Sequence, residues 1–187
     1  MNPMTTSVQG LAAHSTACRF VVRREDSLTE IYQFIVGGLE VGQQVVSVAG
    51  PTCLKDLASA LSESGLRPEV LLRSGRLVFI TAPDSLPALF RSAENFRRGQ
   101  LRLNGSLVRW VSDWSWASSY DDRFDTVLNY ERRVHQLVNR WAGVSLCTAS
   151  AEKISRSSLL AMMVEHRRGA RTFQLTQRGK TGLPSST

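Results

Sequence analysis

"FIVGGLEVGQQVVSVAG", residues 34–50, holds the end of one kind of element and the start of another. Upstream, Leu28, Ile31, Phe34, Ile35 and Leu39 recur at helical spacing, which predicts an amphipathic helix. Gly42 ends that unit, and "QQVVSVAG" (43–50) is a short apolar run rich in valine, which predicts a strand. Ser27 and Glu30, spaced S-x-x-E ahead of the helix, read as a capping box.

The same alternation extends in both directions. "ACRFVV" (17–22), "RLVFITA" (76–82), "SLVRWVSD" (106–113) and "VSLCTA" (144–149) read as four further strands. "PTCLKDLASALSESG" starts on Pro51 and closes on Gly65, as a helix with an N-terminal proline and a C-terminal glycine does. "DSLPALFRSAENFRRG", residues 121–141 and "SRSSLLAMMVEHRR" read as the remaining helices. Apolar strands that alternate with helices specify a mostly parallel central sheet covered on both faces, a three-layer α/β fold.

The composition is that of a globular protein, 42% hydrophobic and 21% charged. No apolar run is long enough for a membrane span, and "MNPMTTSVQG" lacks the pattern of an export signal. Cys18, Cys53 and Cys147 are odd in number and far apart, so neither a disulfide framework nor a zinc site is expected. A cytoplasmic chain with reduced thiols fits these features. The net charge of +7 is concentrated at the end, where Arg167, Arg168, Arg171, Arg178 and Lys180 have no acid among them. The expected organisation is a flexible N-terminus (1–10), one domain (11–168) and a flexible basic tail (169–187), through which nucleic acid would bind only weakly.

In parallel sheets of this kind, ligands bind beyond the carboxyl ends of the strands. Those ends carry Arg23 and Arg24 after the first strand and Asp113, Trp114 and Trp116 after the fourth. "RREDSL" stands where a phosphate-binding loop would need glycines and a lysine, and its acids repel phosphate. Asp113 occupies the place of a nucleotidase's magnesium-binding acid without that loop. Nothing requires a cofactor or a metal, and no catalytic residue set is present. Trp114 and Trp116, either side of Ser115, face the same way if strand pairing continues. They either wall a pocket for a flat or hydrocarbon ligand or pack the sheet. Glu131 lies inside the apolar stripe of helix 121–141, four residues after Val127 and three before Val134. A carboxylate there is paired, with Arg109 as the candidate partner, or contacts a ligand. His135 reads as a partly exposed surface residue, and His14 lies just before the first strand, within reach of the rim.

The ordered series "FIVGGLEVGQQVVSVAG", "SGRLVFITAPDSL", "VRWVSDWSWA", "NYERRVHQL", "SLCTAS" and "MMVEHRR" resembles the MEDS domain, the sensory domain of methanogens, methylotrophs and the DcmR regulator. It spans about residues 11–168. The resemblance implies a RecA/KaiC-like fold without its phosphate loop. It also implies a non-catalytic sensor that takes a small molecule, such as a hydrocarbon derivative, or a regulatory protein. Signal output would run through a partner that controls transcription or signal transduction, and self-association is allowed. Read residue by residue, the resemblance implies His14, Trp114, Trp116, Glu131 and Cys147 around one site; Arg23, Arg24 and Asp113 complete the rim. The rival reading is a degenerate nucleotide-binding protein in which Arg23 and Arg24 hold phosphates and Asp113 a metal.

Overall fold

The computed structural model describes residues 15–21, 24–82, 107–114, 124–140, 143–150, 155–169 and 173–177. In chain order these form β1 (Ser15–Val21), α1 (Arg24–Glu40), β2 (Gln44–Ala49), α2 (Pro51–Glu63), α3 (Pro68–Arg73) and β3 (Leu77–Thr81). They continue with β4 (Val108–Asp113), α4 (Phe124–Arg140), β5 (Val144–Ser150), α5 (Arg156–Gly169) and β6 (Phe173–Gln177). The strands make one six-stranded sheet of order β3-β2-β4-β5-β1-β6. Every pairing in it is parallel. The expected α/β architecture is present.

Strands β2 and β4 lie inside the sheet and every residue of both is buried. A strand covered on both faces favours apolar residues at successive positions, which is why β2 reads as a run, whereas β4 buries Arg109, Ser112 and Asp113 beside its apolar residues. On one face, Ile31, Phe34 and Ile35 of α1 and Leu57 and Leu61 of α2 pack on Val45, Val111 and Leu146. On the other, Tyr130, Val134 and Val138 of α4 and Met162 of α5 pack on Val46, Trp110 and Ala149. Full burial of a side chain such as Phe34 or Ile35 contributes about 1.5–3 kcal/mol. That outweighs the cost of Gly37 and Gly38 inside α1, about 1 kcal/mol each relative to alanine.

Gly42 (φ 75°) and Gly65 (φ 83°) follow α1 and α2 in the left-handed region, where a side chain would be strained. Both therefore stop their helices and turn the chain toward the next element.

Three differences from the sequence reading stand out. α3 was not anticipated; it is a short helix that opens on Pro68. α1 starts at Arg24, so Ser27 and Glu30 lie within the helix and form no capping box. The first turn instead carries Glu25 and Asp26, which complement the helix dipole. Residues 173–177, expected as part of a flexible tail, form β6 and pair with β1, with Thr16 opposite Phe173 and Phe20 opposite Gln177. The helix expected over 84–99 lies outside the described residues.

Gly38 tests the packing of α1 on the sheet. A Cβ there would sit 2.6 Å from Arg109 Cδ and 2.8 Å from Val45 Cγ2. Arg109 cannot swing away freely. Its Nε donates to Gln43 Oε1 at 2.5 Å, its Nη1 to the Phe34 carbonyl at 3.3 Å, and its guanidinium lies 5.0 Å from the Phe34 ring centre. Gly38→Ala is expected to destabilise the chain by about 1–3 kcal/mol in urea unfolding, the usual cost of overpacking. Helix propensity alone predicts a gain of about 1 kcal/mol, so the sign separates the two effects.

Candidate functional site

The carboxyl ends of β4 and β5 carry the candidate site. Asp113 stands opposite Thr148, and Ser112 opposite Cys147. Pairing extends one residue further, since the Trp114 amide donates to the Thr148 carbonyl at 2.8 Å. Successive residues of a strand point to opposite faces. The strand ends therefore split their side chains into two groups.

The first group faces α1. Ser27 Oγ donates to Thr148 Oγ1 at 3.0 Å, and Thr148 Oγ1 lies 3.4 Å from Asp113 Oδ1 as its donor. Ser27 Oγ is also 3.5 Å from the same carboxylate oxygen. All three residues are buried. Only a partner makes such burial tolerable for polar groups, and here each supplies one to the next. Ser27 sits four residues before Ile31 and seven before Phe34, on the buried stripe of α1. That placement, rather than the S-x-x-E spacing, was its signal in the sequence.

The second group faces α4. Trp114 is 0% exposed and its ring meets Tyr130 edge-on, with centroids 5.5 Å apart and planes at 75°. Cys147 belongs to the same buried cluster. The Trp110 indole N–H donates to Ser112 Oγ at 3.2 Å. Burial, foremost, and the neighbouring Glu131 push the Tyr130 phenol well above the ordinary tyrosine range, against hydrogen bonding with Ser112 and Trp110. Glu131 and His135, one turn apart on α4, are each 3% exposed, with Oε2 and Nε2 3.3 Å apart. Beside them, Arg132 reaches across to α5 and holds Glu165 through two hydrogen bonds of 2.8 and 2.6 Å.

Four expected site residues are therefore placed. Trp114, Glu131 and Cys147 belong to the α4 side, and Asp113 to the α1 side. Trp114 is a core residue rather than the open wall of a pocket. His14, Arg23 and Trp116 lie outside the described residues, as does the side chain of Arg24. Two expectations are corrected. His135 is buried, not exposed. Arg109 does not pair with Glu131; the pleat turns it toward α1, where it meets Gln43 and Phe34. Burial pulls its guanidinium below the ordinary arginine value. Among the described residues no cluster of three or more potential metal ligands occurs, and no helix is long and apolar enough to cross a membrane.

Comparison with known proteins follows the same lines. The model of the MEDS family, "MEthanogen/methylotroph, DcmR Sensory domain", matches residues 17–167. The chain belongs to the MEDS family. No curated protein matches it closely enough to be counted a relative. Among solved structures it is similar to a KaiC-like protein from the hyperthermophilic archaeon Pyrococcus horikoshii, with a TM-score of 0.60 and 14% identity. That match covers 87% of this chain and 71% of the other. At such low identity the likeness shows the fold alone, and the MEDS chain is thus RecA-like in architecture. In this domain the strand end that carries Asp113 is separated from β1 by β5.

Two outcomes check the buried cluster. Glu131→Ala should cost about 1–3 kcal/mol, because it strips a buried partner from His135, while Glu131→Gln should cost less. Urea unfolding of both variants measures this; equal costs would place the effect in packing alone. The raised Tyr130 pKa implies stability that is complete below the unfolded phenol's value, about 10, and lost as pH climbs beyond it. Tyr130→Phe should therefore flatten the alkaline fall in stability and remove a late-ionising phenol from the ultraviolet titration.

Proposed function

We propose that this MEDS chain is a non-catalytic sensor that takes a small molecule between α4 and the ends of β4 and β5. The observation that carries the reading is the cluster there. Two indoles, a phenol, a thiol and the Glu131–His135 pair converge within a buried layer of a domain from a sensory family. Aromatic faces favour a flat or hydrocarbon body, and buried polar groups favour a ligand with a matching donor or acceptor. Trp114 is fully buried, so the ligand enters a conformation in which α4 or its neighbours stand off the sheet. A ligand that binds one conformation better than the other shifts their populations, and that shift is the signal. A regulatory protein that controls transcription or signal transduction reads it, in the cytoplasm.

The rival reading, a degenerate nucleotide-binding protein, has Asp113 in its favour. Two features weigh against it. The carboxylate already faces the hydroxyls of Thr148 and Ser27. The first turn of α1, whose backbone donors would meet phosphate, carries Glu25 and Asp26.

A panel of short-chain alcohols, halogenated hydrocarbons and small aromatics, screened by thermal shift and tryptophan fluorescence, tests the proposal. A true ligand at a hundred times its Kd should add about 2.7 kcal/mol of stability. Trp114→Phe should abolish the fluorescence response. Calorimetric binding of magnesium ATP that disappears in Asp113→Asn would support the rival instead.

A further inference from the structure

Thr148 joins the two groups at the strand ends. Its carbonyl accepts the amide of Trp114 at 2.8 Å, which ties it to the aromatic cluster on the α4 side. Its hydroxyl accepts from Ser27 at 3.0 Å, which ties it to α1 on the opposite side. Asp113, the residue before Trp114, faces the same hydroxyl at 3.4 Å. One residue thus carries backbone contact with one layer and side-chain contact with the other.

We infer that Ser27, Thr148 and Asp113 form a latch that transmits rearrangement of the α4-side cluster through the sheet to the first turns of α1. The inference rests on the proposed function for the identity of the trigger, a ligand beside Trp114 and Tyr130. The coupling itself needs no ligand.

Three observations support the latch. First, the contacts are graded. The Ser27–Thr148 bond is well formed, whereas the two approaches to Asp113, at 3.4 and 3.5 Å, stand at the limit of hydrogen bonding. A displacement of a few tenths of an ångström at Trp114, carried by the shared backbone pairing, is enough to lose them. Second, the rest of α1 is fixed independently. Arg109 holds the Phe34 carbonyl at 3.3 Å and Arg76 holds the Leu39 carbonyl at 2.7 Å. Release of Ser27 therefore loosens the amino-terminal turns while the carboxyl-terminal half stays in place. Third, all three latch groups are buried, so water does not readily replace a lost partner. Such a group favours two discrete states, bonded or rearranged, over a continuum.

Native-state hydrogen exchange of the full chain, read by mass spectrometry, tests this without any ligand. Exchange of the amides of residues 28–31 is compared with that of α2 as an internal reference, which removes any change in global stability. Ser27→Ala and the near-isosteric Thr148→Val should each speed α1 exchange about tenfold, the scale of one lost hydrogen bond. Thr148→Ser, which keeps the hydroxyl, should restore most of the protection. Tyr130→Phe, on the far side of the sheet, should speed the same amides and add nothing further in a Ser27→Ala background. Unchanged α1 exchange in Tyr130→Phe, or effects of the two substitutions that simply multiply, would overturn the latch. Should Thr148→Val fail to fold, Ser27→Ala with Tyr130→Phe completes the cycle. A ligand screen that finds nothing would count against the sensor reading and leave this result standing.

Discussion

The pleat of β4 and β5 sets what the site can be. Neighbouring residues on a strand cannot share a face. Asp113 and Trp114 are therefore committed to opposite layers, and so are Thr148 and Cys147. The carboxylate and the indole that sit together in the sequence act in different surroundings, one among hydroxyls beneath α1 and the other against Tyr130 beneath α4. Both environments are buried, so neither side chain is available to solvent in this conformation. The two halves still share one backbone, and the Thr148 carbonyl and hydroxyl connect them.

The fold was legible because its strongest signals are local. Buried parallel strands favour apolar residues at successive positions, and β2 shows this as a run that no amphipathic helix would produce. Helix stops at Gly42 and Gly65 were legible because each needs a positive φ. α3 was missed because it is short and makes its buried contacts through little more than Pro68 and Leu71. β6 was missed because polar residues and basic flanks suggested a tail, whereas the pairing that makes it a strand comes from β1.

The site was legible only in part. Glu131 was anomalous on an apolar stripe, and it is indeed buried beside a partner. Charge alone points to Arg109 as that partner, and the pleat rules it out. Trp110 faces α4, so Arg109 must face α1. His135 reads as exposed only on a helix covered from one side. α4 packs on β4 and β5 and also against α5, and its buried residues include Leu137 and His135. Ser27 was read as a cap because its spacing to Glu30 fits one; the helix begins three residues earlier, and burial gives the hydroxyl a different task.

The likeness to a KaiC-like protein and membership of a sensory family coexist without conflict, because a fold fixes where a site lies and not what it does. In this chain the acid at the end of β4 faces the hydroxyls of Thr148 and Ser27, and the aromatic layer lies on the other face of the sheet. A crystal structure of the chain grown with whichever screened compound stabilises it most would decide where recognition occurs. Ligand density between α4 and the ends of β4 and β5, against Trp114 and Tyr130, is the expected result. Density lodged instead at the first turn of α1, coordinated through Asp113, would contradict it.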